Sequence, residues 1–214
     1  MEATEILQEI AGQVSACEKC NLHYSRKHAV PGEGPVNARL LFIGEGPGFN
    51  ENEMGRPFVG QAGKFLDELL DFAGFKREEV FITNVVKCRP PENRDPLPDE
   101  LNACAAYLDR QIETINPDVI VTLGRFSMAK FLPNARISDV HGKPAWVNER
   151  LIVPMYHPAA TLHQPSLKNS VIADFKALPN AISEGQSKKQ VMLEQQKQEE
   201  DKAAEDSAEQ LSLF

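Results

Sequence analysis

The chain has 214 residues, 42% of them hydrophobic and 25% charged, with a formal net charge of −8. That length and apolar content suit one domain with a real core plus an appendage, and no apolar run approaches the ~18 residues of a membrane-spanning helix. The acidic balance argues against a bulk nucleic-acid coat protein but leaves DNA binding open, because steering follows the local field and not the sum. The opening MEATEILQEI is acidic and amphipathic, unlike a signal peptide. A cytoplasmic protein is expected, whose cysteines serve a metal or redox site and not disulfides.

In chain order, residues 4–14 carry apolar positions at helical spacing. A cysteine-rich loop and a PGEGP turn follow. Residues 39–44 (RLLFIG) form a continuous apolar run, the pattern of a strand buried on both faces. GEGPG is its exit loop. Residues 63–72 read as an amphipathic helix, and 80–86 (VFITNVV) as a β-branched strand feeding the loop CRPPENRDPLP. A helix starts on Pro98 and runs to residue 115. Residues 119–124 (VIVTLG) form another strand, 125–132 a short helix, 150–155 (RLIVPM) a fourth strand, and 167–178 a closing helix. This alternation predicts a parallel sheet covered on both faces. Three strands run into unusual loops, GEGPG, NVVKCRPP and YHP, and ligand sites of such sheets lie at the strands' carboxyl ends.

The motifs divide into two groups. Cys17-x2-Cys20 and Cys88-x15-Cys104 are four thiols, soft ligands suited to tetrahedral zinc or to an iron–sulfur cluster. Spacing alone leaves the metal's identity open. The second group sits at the presumed cleft. A glycine-rich strand exit lets backbone N–H groups approach a ligand, and Glu45 places a carboxylate there. Phe58 in GRPFVG is a core ring or a stacking platform. Asn84, an amide inside an apolar strand, needs hydrogen-bond partners or reads a donor/acceptor edge. His157 stands before a proline at a strand end.

Together these residues resemble the family 4 uracil-DNA glycosylases, iron–sulfur members of the uracil-DNA glycosylase superfamily. The match covers roughly residues 10–180 and includes GEGPG (44–48), GRPFVGQAGKFLD (55–67), TNVVKCRPPENRDPLPDE (83–100) and YHPA (156–159). The resemblance implies a three-layer α/β/α sandwich with a central four-stranded parallel sheet. It implies a [4Fe–4S] cluster of structural role on Cys17, Cys20, Cys88 and Cys104. It implies uracil-containing DNA as substrate, single- or double-stranded, with the nucleotide flipped into a pocket. Phe58 would stack on the base and Asn84 read its O4/N3 edge. Glu51 would crowd C5, and backbone around Glu45 and Gly46 would hold the ring. His157 would stabilise charge on uracil O2. Relatives in a better-known branch carry an aspartate where this chain has Gly46, so water positioning falls to Glu45. His141 and His163 stand where relatives carry arginine. The basic insertion of covalent uracil-trapping relatives is absent, which favours turnover. No lysine is placed for lyase chemistry.

The globular unit, 1–180, is expected to end near Asn180. Residues 181–214 hold 8 acidic and 4 basic side chains and read as a disordered polar tail. The tail ends Gln210-Leu211-Ser212-Leu213-Phe214, which resembles the bacterial sliding-clamp-binding peptide and suggests a tether to that clamp. A monomer is expected, as no exposed apolar stripe is evident. The competing readings are a uracil-DNA sensor without catalysis and a zinc-stabilised nucleic-acid-binding protein.

Overall fold

A computed structural model of the protein describes residues 2–187. Its elements are helix α1 (Ala3–Ser15), strand β1 (Leu40–Gly44), helices α2 (Phe49–Met54) and α3 (Gln61–Phe72), strand β2 (Phe81–Asn84), helix α4 (Pro98–Ile115) and strand β3 (Val119–Leu123). Short helices α5 (Arg125–Ala129) and α6 (Ile137–Val140) follow, then strands β4 (Ala145–Val147) and β5 (Arg150–Met155) and the short helix α7 (Ala160–His163). Helix α8 spans 168–187.

The sheet order is β2-β1-β3-β5-β4. The first four strands are parallel, in register Phe42 with Ile82 and Val121, and Val121 with Val153. A fifth strand, β4, pairs antiparallel with β5, so the expected four-stranded parallel sheet gains an antiparallel edge. The hairpin turns through Asn148 and Glu149, both at positive φ (46° and 63°). That is the twist-matched two-residue turn, but glutamate seldom adopts it and no glycine marks it in VNERL.

Strand alternation divides the core into two faces. Phe42, Val121 and Val153 meet Leu66, Leu69 and Leu70 of α3 and Phe175 and Leu178 of α8. Leu41, Ile43, Ile120 and Ile152 meet Leu108, Ile112 and Ile115 of α4. Helix α1 lies on α4 and closes a third, smaller cluster through Ile10 and Val14. Helix α4 starts on Pro98, with the Leu97 N–H donating to the Glu100 carboxylate at 2.8 Å, and stops at Asn116 in the left-handed region.

The packed unit does not end at residue 180. Ala181 is buried, and the Trp146 Nε1–H donates to the Gly185 carbonyl at 2.8 Å. A Cβ at position 185 would lie 2.6 Å from Leu151 Cδ1. The polar composition hid this because the partners, Trp146 and Leu151, belong to the edge hairpin. Residues 188–214, with Gln210, Leu211, Leu213 and Phe214, lie outside the described residues. Among the described residues no helix is long and apolar enough to cross a membrane.

Candidate active site

The carboxyl ends of the parallel strands open onto a cleft of about 460 Å³. Glu45, Gly46, Glu51, Phe58 and His157 line it, as expected from their motifs. Asn84 lies beneath, 1% exposed at the end of β2, and its side-chain Oδ1 has no hydrogen-bond partner. The floor is thin because residue 44 is glycine. A Cβ there would meet Asn84 Oδ1 at 2.4 Å and Phe58 Cζ at 2.6 Å.

Phe58 is 6% exposed and in the left-handed region, φ 51°. It packs on the α3 face of the core and also lines the cleft. Its ring stacks with that of His157, centroids 5.5 Å apart at 24°. The His157 Nδ1 accepts the Ala159 N–H at 3.1 Å, so in the neutral ring the proton is on Nε2. Burial pushes the His157 pKa down to about 4, with the Glu51 carboxylate pulling the other way. The imidazole is therefore neutral at physiological pH, a donor through Nε2.

The two cleft glutamates differ in kind. Glu51 is anchored, its Oε2 accepting the Gly48 N–H at 3.1 Å and its Oε1 the N–H groups of Val59 at 2.9 Å and Gly60 at 2.8 Å. The carboxylate thus ties the GEGPG loop to the Phe58 loop. Glu45 is half-buried, and burial pushes its pKa up to about 7, with Asp95 adding to the rise and Arg125 opposing it. At position 46 a Cβ would strike Val86 Cγ2 at 2.8 Å. A side chain there would require the Val86 side chain to shift.

Motif reading missed most of the proline-rich wall. Pro90, Asn93, Arg94 and Asp95 all face the cleft. Arg94 donates to buried Glu100 at 2.6 and 2.9 Å, and Asp95 pairs with Arg125. The signal was present, since a polar, proline-rich segment leaves a strand end here, but side-chain direction was not legible. His163 and Leu162 also line the cleft. His141 does not. Its Nδ1 is 2.7 Å from the Asp174 carboxylate of α8, and its ring lies 4.6 Å from that of Tyr156.

The four cysteines meet at the far side of the same loop. Cys17, Cys20, Cys88 and Cys104 line one narrow void with Val14, Arg26 and Tyr107. N–H groups reach the sulfurs: Lys19 to Cys17 at 3.5 Å, Arg26 to Cys88 at 3.4 Å, and backbone N–H groups of Leu22 to Cys20 and Lys87 to Cys104. Burial raises the Cys20 and Cys88 thiols and pushes Cys104 up to about 11. Among the described residues no three His, Cys, Asp or Glu side chains are drawn together as an ion-binding group. The thiols stand around a shared void instead, and four soft donors with N–H groups aimed at them fit a thiolate-held centre.

A family model for the uracil DNA glycosylase superfamily matches residues 31–176. The type-4 uracil-DNA glycosylase of Sulfurisphaera tokodaii is 49% identical over 182 residues, covering 80% of this chain and 83% of that protein. Those of Archaeoglobus fulgidus and Thermotoga maritima are 46% and 43% identical, covering 81% and 83% of this chain and 92% and 95% of their own lengths. The chain therefore belongs to the uracil-DNA glycosylase superfamily and, within it, to the type-4 enzymes.

Proposed function

We propose that this chain hydrolyses the N-glycosidic bond of uracil in DNA, a base-excision repair step that leaves an abasic site. The observation that carries the reading is the unpartnered Oδ1 of Asn84, which with the Phe58 ring crowds the face of Gly44. An orphaned buried acceptor costs about 1–3 kcal/mol, which a ligand N–H offsets. Uracil offers N3–H beside O4, matching the one acceptor and one donor of a carboxamide, whereas cytosine offers the reverse pattern.

The mechanism follows from this placement. A flipped uridine stacks on Phe58 with its N3/O4 edge on Asn84, while Glu51 borders C5 and the backbone at Glu45 and Gly46 holds the ring. As the C1′–N1 bond breaks, its electron pair moves into the uracil ring. His157 Nε2–H then stabilises the charge arising on O2, worth a few kcal/mol. The ionised Glu45 orients a water towards the oxocarbenium-like C1′ and receives its proton.

Cys17, Cys20, Cys88 and Cys104 would hold a [4Fe–4S] cluster, which when bound cross-links the α1 loop, β2's exit and α4. Purified protein should then show broad visible absorbance, which Cys88→Ser and Cys104→Ser abolish. Residues 210–214 would bind a sliding clamp. Deleting them should abolish clamp association while activity on short oligonucleotides persists.

The decisive assay uses a uracil-containing oligonucleotide. Wild type should yield alkali-labile product, and His157→Ala should lose roughly 10²–10³-fold in rate. Tight binding of the wild type without product would overturn the enzymatic reading in favour of a sensor.

A further inference from the structure

Phe58 holds a backbone conformation that a non-glycine residue adopts at a cost, φ 51°. Something must over-determine it. Gly63 contributes from α3, since a Cβ there would lie 1.9 Å from the Phe58 carbonyl oxygen. Glu51 contributes through the N–H groups of Val59 and Gly60. The third constraint comes from outside the cleft, from Arg77 in the turn before β2.

Arg77 donates to the carbonyls of Pro57 at 2.7 Å and Phe58 at 3.2 Å. The same guanidinium meets Glu33 at 2.8 Å and Asp67 of α3 at 2.8 Å. Its side chain is only 22% exposed. Glu33 is not a free partner. Its backbone bridges Ile82 of β2 in both directions, at 3.0 and 2.8 Å, and its carboxylate also holds Arg56 at 2.7 Å. Two residues beyond Ile82 on that strand stands Asn84. The ring beneath the base and the amide at its edge are thus referenced to one strand, through Glu33 and Arg77.

We propose that Arg77 is a positioning residue for uracil recognition, fixing the backbone that carries the Phe58 ring relative to Asn84. The proposal rests on the reading of Phe58 as the base platform. A planar fork suits the task because it reaches two successive carbonyls while its remaining N–H groups satisfy two carboxylates. A lysine supplies the charge without the fork.

The test compares full-length wild type with Arg77→Met, Arg77→Lys, Phe58→Leu and the Arg77→Met/Phe58→Leu double variant. Three quantities are read: inhibition by free uracil, affinity for abasic-site DNA, and melting temperature. Arg77→Met should weaken free-uracil inhibition about tenfold, within the range that stacking on an aromatic ring contributes to base binding. Arg77→Lys should weaken it less, and abasic-site DNA should bind as to wild type. In the Phe58→Leu background Arg77→Met should cause no further loss, because the residue acts through the ring. Should Arg77→Met not fold, Arg77→Lys carries the same comparison, alone and with Phe58→Leu. Unchanged uracil inhibition in the Arg77 variants, or losses that multiply in the double variant, would overturn the proposal. If Phe58→Leu alone leaves uracil inhibition unchanged, the platform reading itself fails and the positioning role falls with it.

Discussion

Asn84 and Lys87 sit three residues apart at the exit of β2, each 1% exposed and each polar, yet in opposite states. The Lys87 Nζ donates to Thr83 Oγ1 at 2.6 Å, Gln111 Oε1 at 2.7 Å and the Asn84 backbone carbonyl at 3.0 Å, and burial lowers its pKa to about 7. Asn84 offers a buried side-chain oxygen to nothing. A buried polar group with every partner in place is scaffold, because its removal leaves acceptors stranded. One left open toward a cleft has a partner that arrives from outside. Lys87 also holds the backbone of Asn84, so the saturated cluster sets the position of the unsaturated one.

The largest expected effects separate these two residues. Asn84→Ala should lower kcat/KM by roughly 10²–10⁴-fold, the range for a site that loses its hydrogen-bonding match to the substrate, while its melting temperature stays near wild type. Lys87→Ala should instead cost about 3 kcal/mol of stability, from the cavity and the three hydrogen bonds lost at Thr83, Gln111 and the Asn84 carbonyl. Urea unfolding beside steady-state kinetics would show both. If each variant lost activity and stability in proportion, the distinction between scaffold and site would collapse.

A smaller effect is expected in the pH profile. Burial brings the Glu45 pKa up to about 7 and the His157 pKa down to about 4, so kcat/KM should rise with pH through about 7 as Glu45 ionises. His157 should contribute no step between 5 and 8. Asp95→Asn removes a charge that raises Glu45, and should move the limb to lower pH. Glu45→Gln should abolish the limb. Stability carries the opposite sign for the two groups. Glu45, raised on folding, contributes stability that is lost as pH rises from its ordinary value of 4.5 through 7. His157, depressed on folding, contributes stability above 6.5 that is lost as pH falls towards 4.

The smallest effect concerns the domain's end. Truncation after residue 180 removes buried Ala181 and the Gly185 carbonyl that accepts from Trp146, and should cost roughly 2 kcal/mol. Truncation after 187 keeps both and serves as the comparison. Equal melting temperatures for the two would mean that the last turns of α8 add no stability.

The sheet's four parallel strands, the helices covering it and the cleft at the strand ends were legible in the chain itself. Apolar runs of four to six residues bounded by GEGPG, CRPP and YHP leave little else for a backbone whose polar groups must pair. Glu45, Phe58, Asn84 and His157 stood out because a carboxylate and a histidine at strand ends, a phenylalanine in a glycine-bounded loop and an amide within a strand break the local pattern, whereas Glu51 came only from the family resemblance. What no pattern carried was direction and partnership. That Glu51 spends both oxygens on backbone N–H groups, and that burial raises the pKa of Glu45, depends on which loops meet around each carboxylate. The His157 tautomer depends on a single N–H from Ala159, and the withdrawal of His141 to Asp174 depends on where α8 returns. The β4 edge and the seven residues past 180 escaped for a related reason: each is held by contacts with segments distant in the chain. Periodicity and composition report what a residue can bury or bond, whereas only the tertiary structure decides which groups come within reach.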